Sequence, residues 1–193
     1  MFGVPINAVT KDQRKIGKII RHATNYSAGP DVVATRLGIT RKEGKVYLDK
    51  FHNATPQLHM WHKAIQEELR ATRTLSNLLG RKHRFLGRWD DSLFRSAYSF
   101  VPQSTVGDLM NKSLVRFETT YGDRFNILLQ LHDAIYVECD ESEMIECAQC
   151  MREAMIQPLY TPQGEEFFID VDFKMGHTWG EMTEIDVPRK VKL

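Results

Sequence analysis

Residues 126–139 constrain the fold more than any other segment, because two apolar runs rich in β-branched residues flank the pair His132-Asp133. Such runs favour strands, and a short polar interruption between them predicts a β-hairpin. The hairpin would hold one carboxylate, Asp133, at a rigid turn. Carboxylates placed in this way are suited to binding a divalent metal ion.

Metal-assisted phosphoryl chemistry usually needs at least two carboxylates, which hold two ions between them. The sequence upstream of the hairpin offers no second carboxylate in a comparable strand. Glu138 follows Asp133 by five residues, so on a strand it would face the opposite side of the sheet. We therefore expect the chain to carry only part of an active site.

The composition is that of an ordinary globular protein, and 193 residues suffice for one large or two small domains. No apolar run is long enough to cross a bilayer, and the N-terminal residues lack the layout of a signal peptide. We expect an intracellular protein without a membrane partner, in the cytoplasm or, as the alternative, in an organelle. Cys147 and Cys150 lie in a helical pattern, which favours buried reduced thiols over zinc ligands.

The net charge of +1 conceals a strong asymmetry along the chain. Residues 1–90 contain 17 Lys and Arg against 7 Asp and Glu, whereas residues 91–193 contain 9 against 18. A basic half joined to an acidic half suits a protein that binds a polyanion next to a site that binds metal ions. The alternative is a solvated charge imbalance without a partner.

Local patterns predict a helical first half followed by a mixed second half. Thr10 and Gln13 have the form of a capping box, so a helix should follow to about Asn25, before Gly29 and Pro30. Residues 41–53 are expected to be a polar loop or insertion, and residues 80–84 a basic loop. Further helices are predicted over 31–37, 56–79, 91–121 with a kink near Pro102, and 141–157. A strand is predicted over 167–175 and a frayed basic tail over 187–193.

The first helix should present a cationic face, since positions four apart along a helix drift by only about 40°. That face contains Arg14, Lys18, Arg21, His22 and Asn25, and the opposite face contains Ile16, Ile19, Ile20 and Ala23. A row of fixed cations suits a triphosphate, and Tyr26, one turn further, could stack on a base. The alternative is an ordinary amphipathic surface helix.

The spacing Arg14-x3-Lys18-x3-His22-x3-Tyr26 resembles the fingers helix of family A DNA polymerases, the group of bacterial DNA polymerase I and its phage relatives. The family signature at this helix is Arg-x3-Lys-x3-Phe/Tyr-x3-Tyr-Gly. Four further blocks resemble the family in the family's order and nearly its spacing. They are Gly80-Arg81-x2-Arg84, Arg95-x3-Ser99-x3-Gln103, Leu128 to Asp133, and Met175-Gly176-x2-Trp179.

The resemblance implies an α+β fold with a helical fingers subdomain over residues 1–88. A palm subdomain over residues 89–193 would contain a small antiparallel sheet covered by helices and joining the hairpin to the 167–175 strand. It also implies template-directed DNA synthesis, in which the primer 3′ oxygen attacks the α-phosphate of a deoxynucleoside triphosphate and pyrophosphate leaves.

The resemblance also assigns roles to individual residues. Arg14 and Lys18 would bind the triphosphate, with His22 and Tyr26 beside the sugar and the templating base. Asp133 would bind one of two catalytic magnesium ions, and Asp133, His132 and Lys18 would form the catalytic group. The residues expected to contact primer–template DNA are Arg81, Arg84, Arg95, Gln103 and His132.

Several positions depart from the family pattern. His22 replaces an aromatic residue, and Ser27 replaces the glycine after Tyr26. Ala134 replaces the glutamate after the metal-binding aspartate, and Ser99 and Ser104 replace an asparagine and a glycine. The family's other metal-binding strand, Asp-Tyr-Ser-x-Ile-Glu, is not found in this sequence. His22 bears on sugar selection, whereas Ala134 and the missing strand bear on metal binding.

Three interpretations follow from these departures. In the first, the chain is the C-terminal part of a split polymerase, active with a partner chain that supplies the other catalytic aspartate and the thumb. In the second, it is part of one longer polypeptide with the same chemistry. In the third, it is a catalytically inactive DNA- or nucleotide-binding module derived from such a polymerase.

Overall fold

The computed structural model describes residues 3–187, apart from the side chain of Ile6, and has the predicted α+β class. The helices of this range are α1 (Lys11–Asn25), α2 (Pro30–Leu37), α3 (Arg41–Ala54), α4 (Pro56–Thr72), α5 (Asp91–Tyr121) and α6 (Met144–Met155). Within the described range, no helix combines the length and the apolar character needed to cross a membrane. The expected tail over 187–193 lies outside the described residues, except for Val187.

Within the described residues, each strand pairs only with its neighbour along the chain. The strands are β1 (Thr74–Ser76), β2 (Lys82–Arg84), β3 (Asn126–Leu131), β4 (Ala134–Glu138), β5 (Leu159–Tyr160), β6 (Glu166–Phe167), β7 (Phe173–Met175) and β8 (Thr183–Ile185). Each odd-numbered strand forms a two-stranded antiparallel sheet with the strand that follows it.

The predicted single strand over 167–175, joined to the hairpin in one sheet, is therefore wrong. Its two ends belong to β6 and β7, and the residues between them form no ladder. The Asp170 carboxylate accepts the backbone N–H of Val171 at 3.1 Å and a hydrogen bond from Arg152 at 3.2 Å. An aspartate that bonds the local backbone in this way competes with strand pairing.

The chain divides into two compact units. The first extends to Asn77 and includes Arg81–Pro102, and the second comprises Leu78–Gly80 and the chain from Gln103 onward. α5 therefore contributes to both units. The assignment of residues 1–88 and 89–193 to fingers and palm stays a prediction.

In the first unit, α1 packs on α2 and α3 through a core of Ile20, Ala23, Val33 and Leu48. The expected loop at 41–53 is wrong, because α3 occupies this segment. Thr40 caps α3: its hydroxyl accepts the N–H of Glu43 at 3.3 Å, and the Glu43 carboxylate accepts the N–H of Thr40 at 2.8 Å. The signal Thr-x-x-Glu was present in the sequence.

The remainder of the first unit is built on α4, β1 and the first half of α5. The helix predicted to reach residue 79 ends at Thr72, because Arg73 takes a left-handed conformation with φ 54°. β1 follows and pairs with β2, so residues 82–84 of the expected basic loop form a strand. The Arg73 guanidinium donates to the carbonyl of Gly87 at 2.8 Å and lies over the Trp89 ring at 4.5 Å.

The second unit packs α6 and the second half of α5 against the β3–β4 hairpin. Its larger core contains Phe117, Phe125, Cys147, Cys150 and Ala154. Both cysteines of the Cys-x-x-Cys are buried on α6, as predicted, and burial is the main cause that raises the pKa of the Cys147 thiol to about 12. A thiol with so high a pKa stays protonated at neutral pH, so it is unreactive and serves to pack the core.

Candidate functional site

The cationic face of α1 is exposed, as the sequence predicts. Arg14 and Lys18 both point to solvent, and neither forms an ion pair with another described residue. The helix begins with the predicted capping box, in which the Gln13 N–H lies 3.2 Å from the Thr10 hydroxyl. Because Ile20 on the opposite side is fully buried, the helix cannot turn its cations inward.

α1 ends in a strained turn beside Tyr26. The N–H of Ser27 donates to Thr24 at 3.0 Å and that of Ala28 to Ala23 at 2.9 Å, which is a Schellman motif. Ser27 has the left-handed φ of 54° that this motif requires. The Tyr26 ring meets the edge of the His22 ring at a centroid distance of 4.9 Å, so these two predicted nucleotide-binding residues lie together.

Sequence reasoning did not identify His62 as a site residue. This histidine is buried on α4, and its Nε2 lies 2.9 Å from the carbonyl oxygen of Asn25, the last residue of α1. Burial is the main cause that lowers the pKa of His62, and the hydrogen bond to Asn25 opposes this effect. The contact of this buried side chain with the end of α1 was not detectable from periodicity, because its partner is 37 residues away.

The β3–β4 hairpin carries His132 and Asp133 as its two turn residues, and Leu131 pairs with Ala134 on either side of them. His132 has φ 53°, a strained value for a residue other than glycine. The Gln130 side chain donates to the His132 carbonyl at 2.6 Å and thereby braces the turn. The sequence contained this glutamine within an apolar run, but its bracing role depends on turn geometry.

Asp133 is exposed at the tip of the hairpin. Among the described residues, no group of three or more His, Cys, Asp or Glu is arranged to hold a metal ion. Glu138 pairs with Asn126 at the other end of β4, so five residues of strand separate it from Asp133, roughly 17 Å. Within this part of the chain, Asp133 thus offers a single carboxylate.

A cleft of about 920 Å³ opens beside the hairpin within the second unit, and Asp133 is among its lining residues. Six of the eight methionines of the chain line this cleft: Met110, Met144, Met151, Met155, Met175 and Met182. Methionine side chains adapt readily to a partner's shape. Trp179 also lines the cleft and contacts the Tyr136 ring of β4 at a centroid distance of 4.4 Å.

Strand β3 of the hairpin exposes apolar side chains. β3 pairs only with β4 within the described residues, and a bulge at Leu128 shifts the register. Leu128 is 61% exposed, and Leu129 and Leu131 are 38% and 41% exposed. An open strand edge of this kind is a template for pairing with another segment.

The residues predicted to contact DNA fall on both units. Arg81, Arg84 and Arg95 are exposed in the first unit, and Gln103 is exposed on α5 in the second. Arg81 lies next to the β1–β2 turn, where its N–H donates to the buried Asn77 side chain at 2.9 Å. The structure places Arg14, Lys18 and His22 on α1 with Tyr26 directly after the helix, and it places His132 and Asp133 on one turn.

The sequence of this chain is similar to those of one family of known proteins. The sequence model of DNA polymerase family A matches residues 1–181. The chain is 26% identical over 189 residues to the thermostable DNA polymerase I of Thermus thermophilus, covering 93% of this chain and 22% of that protein. It is 27% identical over 196 residues to DNA polymerase I of Chloroflexus aurantiacus, covering 96% and 20% respectively.

Among solved structures, the chain is similar to the POL domain of Pol1 from M. smegmatis, determined in complex with DNA primer-template and dNTP. The TM-score is 0.73 at 25% identity, over 80% of this chain and 29% of that one. The chain thus spans about a fifth of the length of the curated relatives it matches. With a family match over almost its entire length, this chain belongs to DNA polymerase family A.

Proposed function

We propose that this chain supplies the nucleotide-binding helix and one metal-binding carboxylate of a template-directed DNA polymerase. The observation that carries the proposal is the β3–β4 hairpin, which presents Asp133 as the one carboxylate of its two-residue turn. Family membership supports the reaction class, and a similar structure was determined with primer-template and dNTP. The reaction transfers a nucleotide from a deoxynucleoside triphosphate to a primer 3′ end.

In this proposal α1 binds the triphosphate. Arg14 and Lys18 are exposed cations on a helix whose opposite face is packed into the core, so the helix presents both side chains to solvent before the ligand arrives. Preorganised cations stabilise the charge that develops on transferring phosphoryl groups without reorganising at that moment. His22 and Tyr26 continue the same face towards the sugar and the templating base.

Asp133 is the proposed magnesium ligand of this chain. Its carboxylate is exposed and a hard oxygen ligand, which suits Mg²⁺. Magnesium bound there would polarise a phosphoryl oxygen and offset developing negative charge. His132, on the same turn, would contact the primer end, and the residues proposed to contact primer–template DNA are Arg81, Arg84, Arg95 and Gln103.

A single carboxylate does not complete a two-metal site, so we propose that a second segment docks on the hairpin. The exposed leucines of β3 and the methionine-lined cleft suit an apolar strand that brings the other catalytic aspartate. A partner chain that also carries the thumb, or an upstream part of the same polypeptide, would serve this role. The chemistry is the same in both cases.

The experiment is primer extension with Mg²⁺ and all four deoxynucleotides. The purified chain alone is expected to give no extension, and adding the polypeptide with the missing aspartate strand should restore it. Asp133→Asn should then abolish extension while leaving DNA binding nearly unchanged, because only the metal ligand is lost. Asp123→Asn, an exposed carboxylate in the turn before β3, is the matched control and should remain active.

Three outcomes would contradict the proposal. Template-directed extension by the chain alone would refute the shared site, and full activity of the Asp133→Asn assembly would refute the metal-ligand role. An assembly that binds DNA and nucleotide but never extends a primer would favour the alternative function, a catalytically inactive binding module.

A further inference from the structure

The C-terminus of α1 is tied to α4 by one hydrogen bond. The buried His62 places its Nε2 2.9 Å from the carbonyl oxygen of Asn25. Because a carbonyl oxygen only accepts, Nε2 carries the hydrogen and donates it. The last carbonyls of a helix have no partner within the helix, so His62 satisfies one of them.

The His62 ring is held in a fixed orientation. It stacks on the Tyr98 ring of α5 at a centroid distance of 4.0 Å and an angle of 25°, and the neighbouring Trp61 ring lies at 5.2 Å. The Tyr98 hydroxyl in turn accepts a hydrogen bond from Gln66 at 2.5 Å. Because Tyr98 and Trp61 both pack against the His62 ring, and Gln66 holds Tyr98, the donor fixes the position of the carbonyl that it binds.

The segment that His62 holds is strained and contains Tyr26. Asn25 directly precedes Tyr26 and Ser27, and Ser27 adopts φ 54° without the freedom of glycine. The Tyr26 ring packs against the same core cluster that contains Tyr98. The position of the Tyr26 ring therefore depends on the carbonyl that His62 binds.

We propose that His62 is a positioning residue for nucleotide selection: it anchors the end of α1 and so sets where Tyr26 lies relative to Arg14 and Lys18. This inference rests on the proposed function, which places Tyr26 beside the templating base. His62 touches neither substrate nor metal in this scheme. It acts through the Asn25 carbonyl.

The first test measures amide hydrogen exchange at Ser27 and Ala28, whose N–H groups close the Schellman motif. His62→Leu removes the donor but keeps an apolar side chain, and should lower protection at these two amides by about tenfold, the effect of one lost hydrogen bond. His62→Gln retains a donor and should restore most of the protection. His59→Gln, an exposed histidine on the same helix, is the control and should change neither amide.

The second test measures single-nucleotide extension by the assembled polymerase. His62→Leu should raise KM for the correct deoxynucleotide and the rate of misinsertion, with a smaller change in kcat, and His62→Gln should recover both. Unchanged protection in His62→Leu would overturn the anchoring role, whether or not the assembly extends primers. Lost protection with unchanged KM and misinsertion would overturn the role in nucleotide selection.

If the wild-type assembly extends no primer, the proposed function fails, and the exchange experiment still decides whether His62 anchors α1. A variant that unfolds is recognised by loss of protection throughout the first unit. In that case His62→Gln decides the question, with wild type and His59→Gln as references. Protection at Ser27 and Ala28 equal to that of the references supports the donor role. Loss of protection at these two amides alone overturns it.

Discussion

Ser27 adopts a strained backbone conformation in the turn that ends α1. The backbone after Tyr26 takes φ 54°, which an L residue adopts at a cost of about 1 kcal/mol relative to glycine. This conformation explains physically why the resembling family pattern has glycine at the same place. His132 shows the same kind of strain at the tip of the hairpin, with φ 53°. Both strained residues flank proposed ligand-binding side chains, where such strain commonly occurs.

Lys18 provides a residue-scale prediction. In the assembled enzyme, Lys18→Ala should reduce kcat/KM for nucleotides by an amount equivalent to about 2–4 kcal/mol, because a preorganised phosphate contact is lost. Steady-state extension kinetics measure this loss. Lys15→Ala, on the same helix outside the Arg14–Lys18 row, removes an equal charge and should have little effect.

Tyr26→Ala should instead impair base selection, because it removes a ring and leaves the phosphate cations in place. The Lys18 prediction has its own contrary outcome. If Lys18→Ala leaves turnover and apparent nucleotide affinity intact, the row of cations does not bind phosphate.

At the scale of elements, α2 and α3 approach each other unusually closely. A Cβ atom added at Gly44 of α3 would lie 2.8 Å from the Pro30 carbonyl oxygen and 3.3 Å from the Ala34 nitrogen. Both are backbone atoms, so the helices would have to move apart. This contact holds the two helices that support the buried face of α1.

Gly44→Ala is therefore expected to destabilise the chain by about 1–3 kcal/mol, the usual cost of overpacking. Gly107→Ala on α5 is the matched control, since an added Cβ there meets nothing within 4 Å. In a helix interior with open space, alanine is favoured over glycine by roughly 0.5–1 kcal/mol, so the control should be slightly stabilised. Urea denaturation of the two variants would contradict this account if their free energies of unfolding changed in the same direction.

The hairpin is the element in which local sequence and structure agree most closely. Its two apolar runs became β3 and β4, and its two polar residues became the turn. Residues 167–175 did not form the single strand that their alternating pattern predicts. Such a pattern specifies which face of a strand is apolar, but not which strand it pairs with. β7 instead pairs with β8, ten residues further along the chain.

At the scale of the whole molecule, the exposed leucines of β3 and the methionine-lined cleft predict association. The isolated chain is expected to aggregate or to fold weakly, because an open strand edge and apolar surface remain in water. A polypeptide with the missing strand should form a tight heteromer with it and raise its thermal midpoint. Light scattering and thermal melts of the chain, alone and with that polypeptide, measure both effects.

Charged substitutions on the strand provide the control for this association. Leu128→Lys should weaken the heteromer, because Leu128 is 61% exposed on β3. Leu86→Lys alters a leucine of the first unit that is even more exposed, at 76%, and should not weaken it. A soluble, stable and well-ordered monomer in the absence of any partner would contradict the prediction.

The sequence alone determined the features that arise from neighbouring residues. The capping box and apolar face of α1, the turn of the hairpin and the helical cysteines all depend on contacts within a few positions, so periodicity and capping rules found them. The helix α3 also carried such a local signal at Thr40 and Glu43, although the polar composition of the segment favoured a loop.

Only the tertiary structure decided the features that join distant residues. The hydrogen bond from His62 to Asn25 spans 37 positions, and the stacking of His62 on Tyr98 spans 36. The end of α4 and the pairing of β7 with β8 likewise depend on which surfaces meet in three dimensions. Local patterns specify the apolar face of an element, but the partner of that face is chosen by packing, which no local window of sequence contains.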